Sequence, residues 1–220
     1  MKILVVANWK CNPVTFQEAN QLFNSVKRGT KNIKNAEVVI CPPFVFISNF
    51  KFQISNLKLG SQDVFWENGG AYTGEISPLM LKNMGVEYVI IGHSERRKYQ
   101  KETNEMINKK LKFAFNAGLK PILCIDKISQ IPRDIRKGFI VAYEPLFAIG
   151  TGRVCPAGKA KNMNFSIKKI LGRNFPVLYG GSVNSENARD YIEEAEFNGL
   201  LVGGASLRPK EFIDIVKNIC

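Results

Sequence analysis

The sequence predicts an α/β chain whose eight parallel strands alternate with helices and close into a single (β/α)8 barrel. Three observations carry this. Short apolar runs alternate with amphipathic stretches from end to end of the 220 residues. Several runs are continuous and β-branched, as strands buried on both faces require. Charge or glycine stands at the ends of many runs, as at the C-terminal rim where barrels assemble their sites. An open doubly wound sheet has the same alternation; the strand-end residues favour the closed form.

The expected strands are Ile3–Ala7, Glu37–Cys41, Leu57–Ser61, Tyr88–Ile91, Pro121–Ile125, Phe139–Tyr143, Val177–Tyr179 and Leu200–Val202. The longest helical patterns between them are Thr15–Arg28, Glu102–Asn116 and Ala157–Leu171. Ser77-Pro78 reads as an N-cap with proline at the first helical position. Gly118 reads as a stop just past Asn116. Between Ile125 and Gly138 there is barely room for a helix, and Pro132 interrupts it. A parallel crossover usually carries a full helix, so the fifth-to-sixth crossover is expected to be truncated, its helix short or absent. No linker, low-complexity tract or internal repeat divides the chain, so residues 1–220 are read as one domain.

Composition bounds the function. Hydrophobic content of 45% and charged content of 23% are ordinary for a globular protein. The apolar segment Ile3–Ala7 is too short for a signal sequence or a membrane span, and a cytoplasmic protein without membrane partners is expected. Five cysteines without a CxxC pair argue against a disulfide framework and against a zinc site. The only histidine, His93, excludes a multi-histidine metal site. The net charge of +12 raises nucleic-acid binding. The basic residues are scattered, however, no nucleic-acid motif accompanies them, and the Lys109-Lys110-Leu111-Lys112 cluster sits in a helical pattern. A lysine-rich surface suited to an anionic substrate is the preferred reading, with no nucleic-acid partner.

The most informative stretch runs from Ala142 to Gly152. A strand delivers one carboxylate, Glu144, at its C-terminal end; Pro145, a short apolar patch and Gly150-Thr151-Gly152 follow. That is the layout of a base joined to a hinged lid, and a carboxylate partly desolvated under a lid is a stronger base. Lys10 follows the first strand, where a lysine can pair with an anion; alone it would be an ordinary surface lysine. His93 ends the fourth strand within Gly92-His93-Ser94-Glu95-Arg96-Arg97, and the residues after it can open a short helix whose N-terminal dipole disfavours imidazolium. Part of that run, the two arginines above all, suits a structural ion-pair cluster. Tyr179-Gly180-Gly181-Ser182-Val183 and Gly203-Gly204-Ala205-Ser206 follow the seventh and eighth strands. Each alone is a tight turn; together they suit a phosphate cradle.

These segments resemble the triosephosphate isomerase family. The resemblance is carried by Asn8-Trp9-Lys10, Gln62-Asp63-Val64 with Gly74-Glu75-Ile76-Ser77, Gly92 to Arg97, Ala142 to Gly152, Tyr179 to Val183 and Leu201 to Leu207. They stand in the family's order and cover nearly the whole chain. The resemblance implies a TIM barrel that interconverts dihydroxyacetone phosphate and D-glyceraldehyde 3-phosphate through an enediol(ate), in glycolysis and gluconeogenesis. It implies Glu144 as base, neutral His93 as electrophile and Lys10 as charge stabiliser. Asn8 would place substrate oxygens and Glu95 would orient nearby polar groups. Backbone N–H groups of Gly150, Ser182, Gly203 and Gly204 would hold the phosphate of the triose substrate. It implies no cofactor and no metal. It also implies a homodimer through the loop Gln62–Glu75, whose Thr73 would reach a neighbour's Lys10 and Cys11; a plain surface loop with aromatic residues is the alternative.

The chain departs from the family in several places. The lid's usual tryptophan is Phe147, and Asp126-Lys127 stands where Gly-Glu usually follows strand five. An open lid held by apolar contact is therefore expected. Pro156 occupies the far hinge in place of a common threonine. The region after strand five and the helix before strand seven are trimmed as in the short archaeal branch, while the motifs look bacterial or eukaryotic. The missing outer helix is expected to expose barrel wall, lowering stability or calling for a compensating contact. Two other readings stand beside the isomerase: another phosphate-binding barrel enzyme, or a non-catalytic phosphate-binding barrel serving as a scaffold. Lys10, His93 and Glu144 speak against both.

Overall fold

The computed structural model describes residues 2–50, 57–150 and 152–220. Eight parallel strands form a closed barrel in chain order: β1 (Ile3–Asn8), β2 (Ala36–Cys41), β3 (Leu57–Ser61), β4 (Tyr88–Ile91), β5 (Lys120–Ile125), β6 (Ile140–Tyr143), β7 (Val177–Tyr179) and β8 (Gly199–Val202). Each expected strand is present, and no end is moved by more than a residue. The period-two alternation sorts side chains into two cores. Leu4, Val6, Val39, Ile90, Ile122 and Leu178 fill one cluster inside the barrel. Their neighbours Val5, Ala7, Val38, Ile40, Val89 and Ile91 pack with the surrounding helices. Closure joins β8 to β1 with Gly199 opposite Leu4. A Cβ at Gly199 would lie 1.9 Å from the Leu4 carbonyl oxygen, so the seam closes only on glycine.

The helices are α1 (Phe16–Gly29), α2 (Phe44–Ile47), α3 (Pro78–Asn83), α4 (Ser94–Tyr99), α5 (Asn104–Asn116), α6 (Ala157–Leu171), α7 (Ala188–Glu193) and α8 (Pro209–Asn218). Thr15 caps α1 in a reciprocal capping box with Glu18. The Ser77 hydroxyl accepts the Met80 N–H, with Pro78 at the first position of α3. α5 ends at Asn116, and Gly118 follows at φ +76°. The shortening expected before β7 does not show as a short helix: α6 has 15 residues.

Between β5 and β6 the described chain forms only a 3-10 turn, Ile128–Gln130, as expected for a truncated crossover. The expectation of an exposed wall needs correction. Ile131 and Phe139 are buried, and Ile128 and Ile135 pack on the same core, so the loop itself covers much of the wall. Asp134 pairs with Lys112 of α5 at 2.7 Å. Gly138 lies directly against Phe115, where a Cβ would meet the ring at 2.5 Å.

The basic cluster on α5 is not wholly a solvated face. Lys110 is buried and places its Nζ 2.6 Å from both Asp63 Oδ2 and Glu102 Oε1. Arg96 joins the same pair at 2.9 Å and 2.6 Å. Burial opposes the Glu102 charge, but Lys110 and Arg96 outweigh it and hold the carboxyl below its ordinary range. Arg97 donates to the carbonyls of Gly92 and Cys124 and to Asn104. Both arginines are thus structural.

Candidate active site

Glu144 directly follows β6, and its N–H donates to the Ile125 carbonyl at 2.8 Å. Its side chain is buried. Burial pushes its carboxyl above the ordinary range, against the opposing influence of His93, the Ser94 N–H, Lys10 and the Cys124 thiol. Its Oε1 lies 3.3 Å from His93 Nε2, and its Oε2 accepts the Ser94 N–H at 3.5 Å.

His93 is the N-cap residue of α4, so the expected short helix does open behind the ring. Its Nδ1 accepts the Glu95 N–H at 3.2 Å. A ring nitrogen that accepts carries no hydrogen, so the hydrogen of the neutral ring sits on Nε2, facing Glu144.

Lys10 adopts φ +53°, a conformation unusual for a non-glycine residue and one that functional sites often hold. The Asn8 side chain accepts the Lys10 N–H at 3.0 Å, and Lys10 Nζ donates to Glu95 Oε1 at 2.5 Å. The Gln62 amide donates to the carbonyls of Lys10 at 2.7 Å and Cys41 at 2.9 Å. Gln62 was not singled out for this role from the sequence, although it stands in one of the quoted motifs. Its partners are far away in sequence, so only the barrel's closure shows it. Cys124, which nothing in the sequence alone places at the site, hydrogen-bonds the Glu144 carboxylate.

Asn8, Lys10, His93 and Glu144 line one cavity of about 480 Å³, together with Gly150, Ser182, Gly203 and Gly204. The nine residues expected at the site include one that stands beside rather than within this lining, Glu95, which meets Lys10 from the outside. The turn after β7 lies against Glu144, where a Cβ at Gly180 would meet Cγ at 2.9 Å, and the turn after β8 lies against Lys10, where a Cβ at Gly203 would meet Cε at 3.3 Å. The Gly203 carbonyl accepts the Ser206 N–H at 2.8 Å, forming a 3-10 turn over Gly204–Leu207. Arg208 adds a cation to the lining. A second cavity of about 620 Å³ shares Glu144 and Ile149 and extends over Cys124, Asp126 and Lys127. Among the described residues no group of three His, Cys, Asp or Glu side chains gathers to hold a metal ion.

The lid begins at Pro145 and forms a 3-10 turn over Leu146–Ala148. Gly150 and Gly152 both have positive φ; Thr151 between them lies outside the described residues. The lid also makes polar contacts beyond the apolar packing expected of it. The Ser182 hydroxyl donates to the Ala148 carbonyl at 2.6 Å. Lys159 Nζ stands 4.9 Å from the Phe147 ring centroid, a cation–π contact. The Asp126 N–H donates to Gln130. At the far hinge Cys155 is buried and its carbonyl accepts the Tyr191 hydroxyl at 2.8 Å.

A closed (β/α)8 barrel with a buried carboxylate, an imidazole and a lysine gathered at the strand C-termini defines the class of barrels built for acid–base chemistry. The comparisons narrow the class. The sequence matches the family model described as triosephosphate isomerase over residues 3–219. A protein of that name from Dictyoglomus turgidum is 40% identical, covering 98% of this chain and 98% of that protein. Another from Thermoanaerobacter pseudethanolicus is 42% identical over 97% of this chain and 98% of its own. A third, from Dehalococcoides mccartyi, is 39% identical over 98% and 96%. The chain belongs to the triosephosphate isomerase family. Its match to the Dictyoglomus protein spans 246 positions, more than the chain's 220 residues, so the chain is trimmed relative to that protein.

Proposed function

We propose that this barrel interconverts dihydroxyacetone phosphate and D-glyceraldehyde 3-phosphate, with Glu144, His93 and Lys10 as the reacting groups. The supporting observation is the meeting of Glu144 and His93 Nε2 at 3.3 Å in a cavity that Lys10 also lines. A triose placed there can touch all three. Glu144 takes a proton from one carbon of the substrate and returns it to the next. His93 Nε2–H donates to the carbonyl oxygen, and the ring then passes a proton between the two oxygens of the enediol(ate). Lys10 offsets the charge that develops on those oxygens, and Asn8 and Glu95 set its position. Backbone N–H groups of Gly150, Ser182, Gly203 and Gly204 hold the phosphate, with Arg208 adding positive potential. Lid closure excludes water and protects the intermediate from phosphate elimination. The residues themselves complete the proton transfers, without a cofactor.

The chain acts as one domain, in the cytoplasm, in glycolysis and gluconeogenesis, and as a homodimer through Gln62–Glu75. The scaffold alternative finds no support: a buried carboxylate raised above its ordinary range serves a base and costs stability in a mere scaffold.

A coupled assay for glyceraldehyde phosphate formation tests the reading. Glu144→Gln keeps the shape and removes the base. Its kcat should fall by about 10²–10⁴-fold with KM little changed. A variant with wild-type kcat would remove Glu144 from the mechanism.

A further inference from the structure

At the opposite, N-terminal end of the barrel a groove of about 670 Å³ runs between the end of α5, the last residues of the crossover and the turn after α6. Its floor is apolar, with Phe139 and Phe175 in edge contact at 5.0 Å and Leu171 and Leu119 beside them. Its rim carries Lys120, Arg136, Lys137 and Arg173, and no carboxylate belongs to its lining. Lys120 leans toward Glu87 at 3.7 Å. Among the described residues, Arg136, Lys137 and Arg173 form no ion pair. A full crossover helix would end against this rim. Here the chain returns through bends without a helix, and Phe115, the residue at its lip, is half exposed.

We propose that this groove docks an acidic linear segment of a partner protein that inserts one aliphatic or aromatic side chain among Leu171, Phe139 and Phe175. Charge selects the occupant. A second copy of this +12 chain would bring the same cations against the rim, whereas an acidic segment neutralises them. Shape selects it as well. The floor is recessed, so it receives a protruding side chain but inserts nothing into a bilayer. Docking there leaves the catalytic mouth at the other end of the barrel free.

Fluorescence anisotropy with a labelled Glu-Glu-Asp-Leu-Phe-Glu-Asp-Glu peptide tests this. It should bind, and about tenfold more weakly to Arg136→Glu/Arg173→Glu and at raised salt. Both arginines are exposed at the end of the barrel away from the site, so isomerase kcat should be unchanged, and Arg136→Gln/Arg173→Gln, with a smaller loss, serves if the reversal misfolds. A peptide with Ser-Gly in place of Leu-Phe should bind at least tenfold more weakly, and amide shifts should change at Gly138 and Arg173 but not at Gly203. Equal binding of the two peptides, unchanged affinity of both arginine variants, or displacement by a single-stranded oligothymidylate or by phosphatidylserine vesicles at matched charge would overturn the proposal.

Discussion

Glu144 concentrates the residue-scale physics. It is a buried carboxylate, and the base proposed for it acts only when ionised. The two demands conflict, and the conflict has a sign. Burial raises its folded pKa above the unfolded value. Between those two values the folded state binds more protons than the unfolded chain, so stability falls as pH rises through this window. Below the unfolded pKa both states are protonated and the penalty is gone; above the folded pKa it is complete. Glu144→Gln removes the titrating group. The variant should therefore lose less stability than the parent as pH rises above the ordinary glutamate range. Denaturant titrations at several pH values read this directly, and parallel curves for the two proteins would contradict it. In the parent, the acid limb of kcat/KM should lie above the ordinary carboxylate range for the same reason.

At the scale of elements, the trimmed crossover and α5 support each other. Gly138 has φ +86° and approaches the Phe115 ring so closely that a methyl group would overlap it. Gly138→Ala should cost about 1–2 kcal/mol, from strained backbone and the displaced ring together. Adding Phe115→Leu should recover only the part due to the ring. Thermal melts of the single and double variants separate the two contributions, and a neutral Gly138→Ala would show that the loop moves freely away from α5. On the other face of α5, Lys110 holds Asp63 and Glu102 against one another's charge. Lys110→Ala leaves buried Glu102 and half-buried Asp63 to Arg96 alone and should destabilise by about 3–5 kcal/mol, lowering Tm by about 6–20 °C for a chain of this length. A shift below a few degrees would mean that Arg96 alone satisfies the pair. The sequence shows these elements unevenly. Strands are legible because a run buried on both faces must be apolar, and helix starts because Thr15 and Ser77-Pro78 are local signals. The truncated crossover is legible because Pro132 and a short segment leave no room. Burial of Lys110 is not legible, because its partner Asp63 lies 47 positions away and a helical lysine run looks solvated. The same holds for Gln62, which lies 52 positions from Lys10. Motifs place Lys10, His93 and Glu144, whereas the side chains that fix their conformation depend on which strand ends become neighbours in the closed barrel.

For the molecule as a whole, charge and apolar surface make separate predictions. The +12 charge surrounds a site whose own lining includes Lys10 and Arg208. A phosphorylated triose should be steered toward it, so kcat/KM should fall several-fold as ionic strength rises from about 0.01 to 0.15 M and the Debye length shrinks from ~30 to ~8 Å. Unphosphorylated glyceraldehyde, which is neutral, is the control and should show no such fall. Apolar surface bears on assembly. Val14, Phe16, Phe44, Val45, Leu79 and Met80 are all exposed, and they lie in or beside the segments that follow β1, β2 and β3, neighbours in the barrel. In the same sector the loop Gln62–Glu75 packs Phe65 at a tilt against Trp66 and Tyr72 and leaves Thr73 exposed. A monomer would keep this apolar set in water, and a second copy removes it. Light scattering should give twice the mass of the chain. Thr73→Arg, a bulky charge at the loop tip, should shift the mass toward that of one chain. The monomer should also lose kcat, by about tenfold or more, because in the proposed dimer the neighbouring loop would brace the left-handed backbone of Lys10. A monomeric parent with full activity, or a monomeric Thr73→Arg variant with unchanged kcat, would show that the site is complete within one chain.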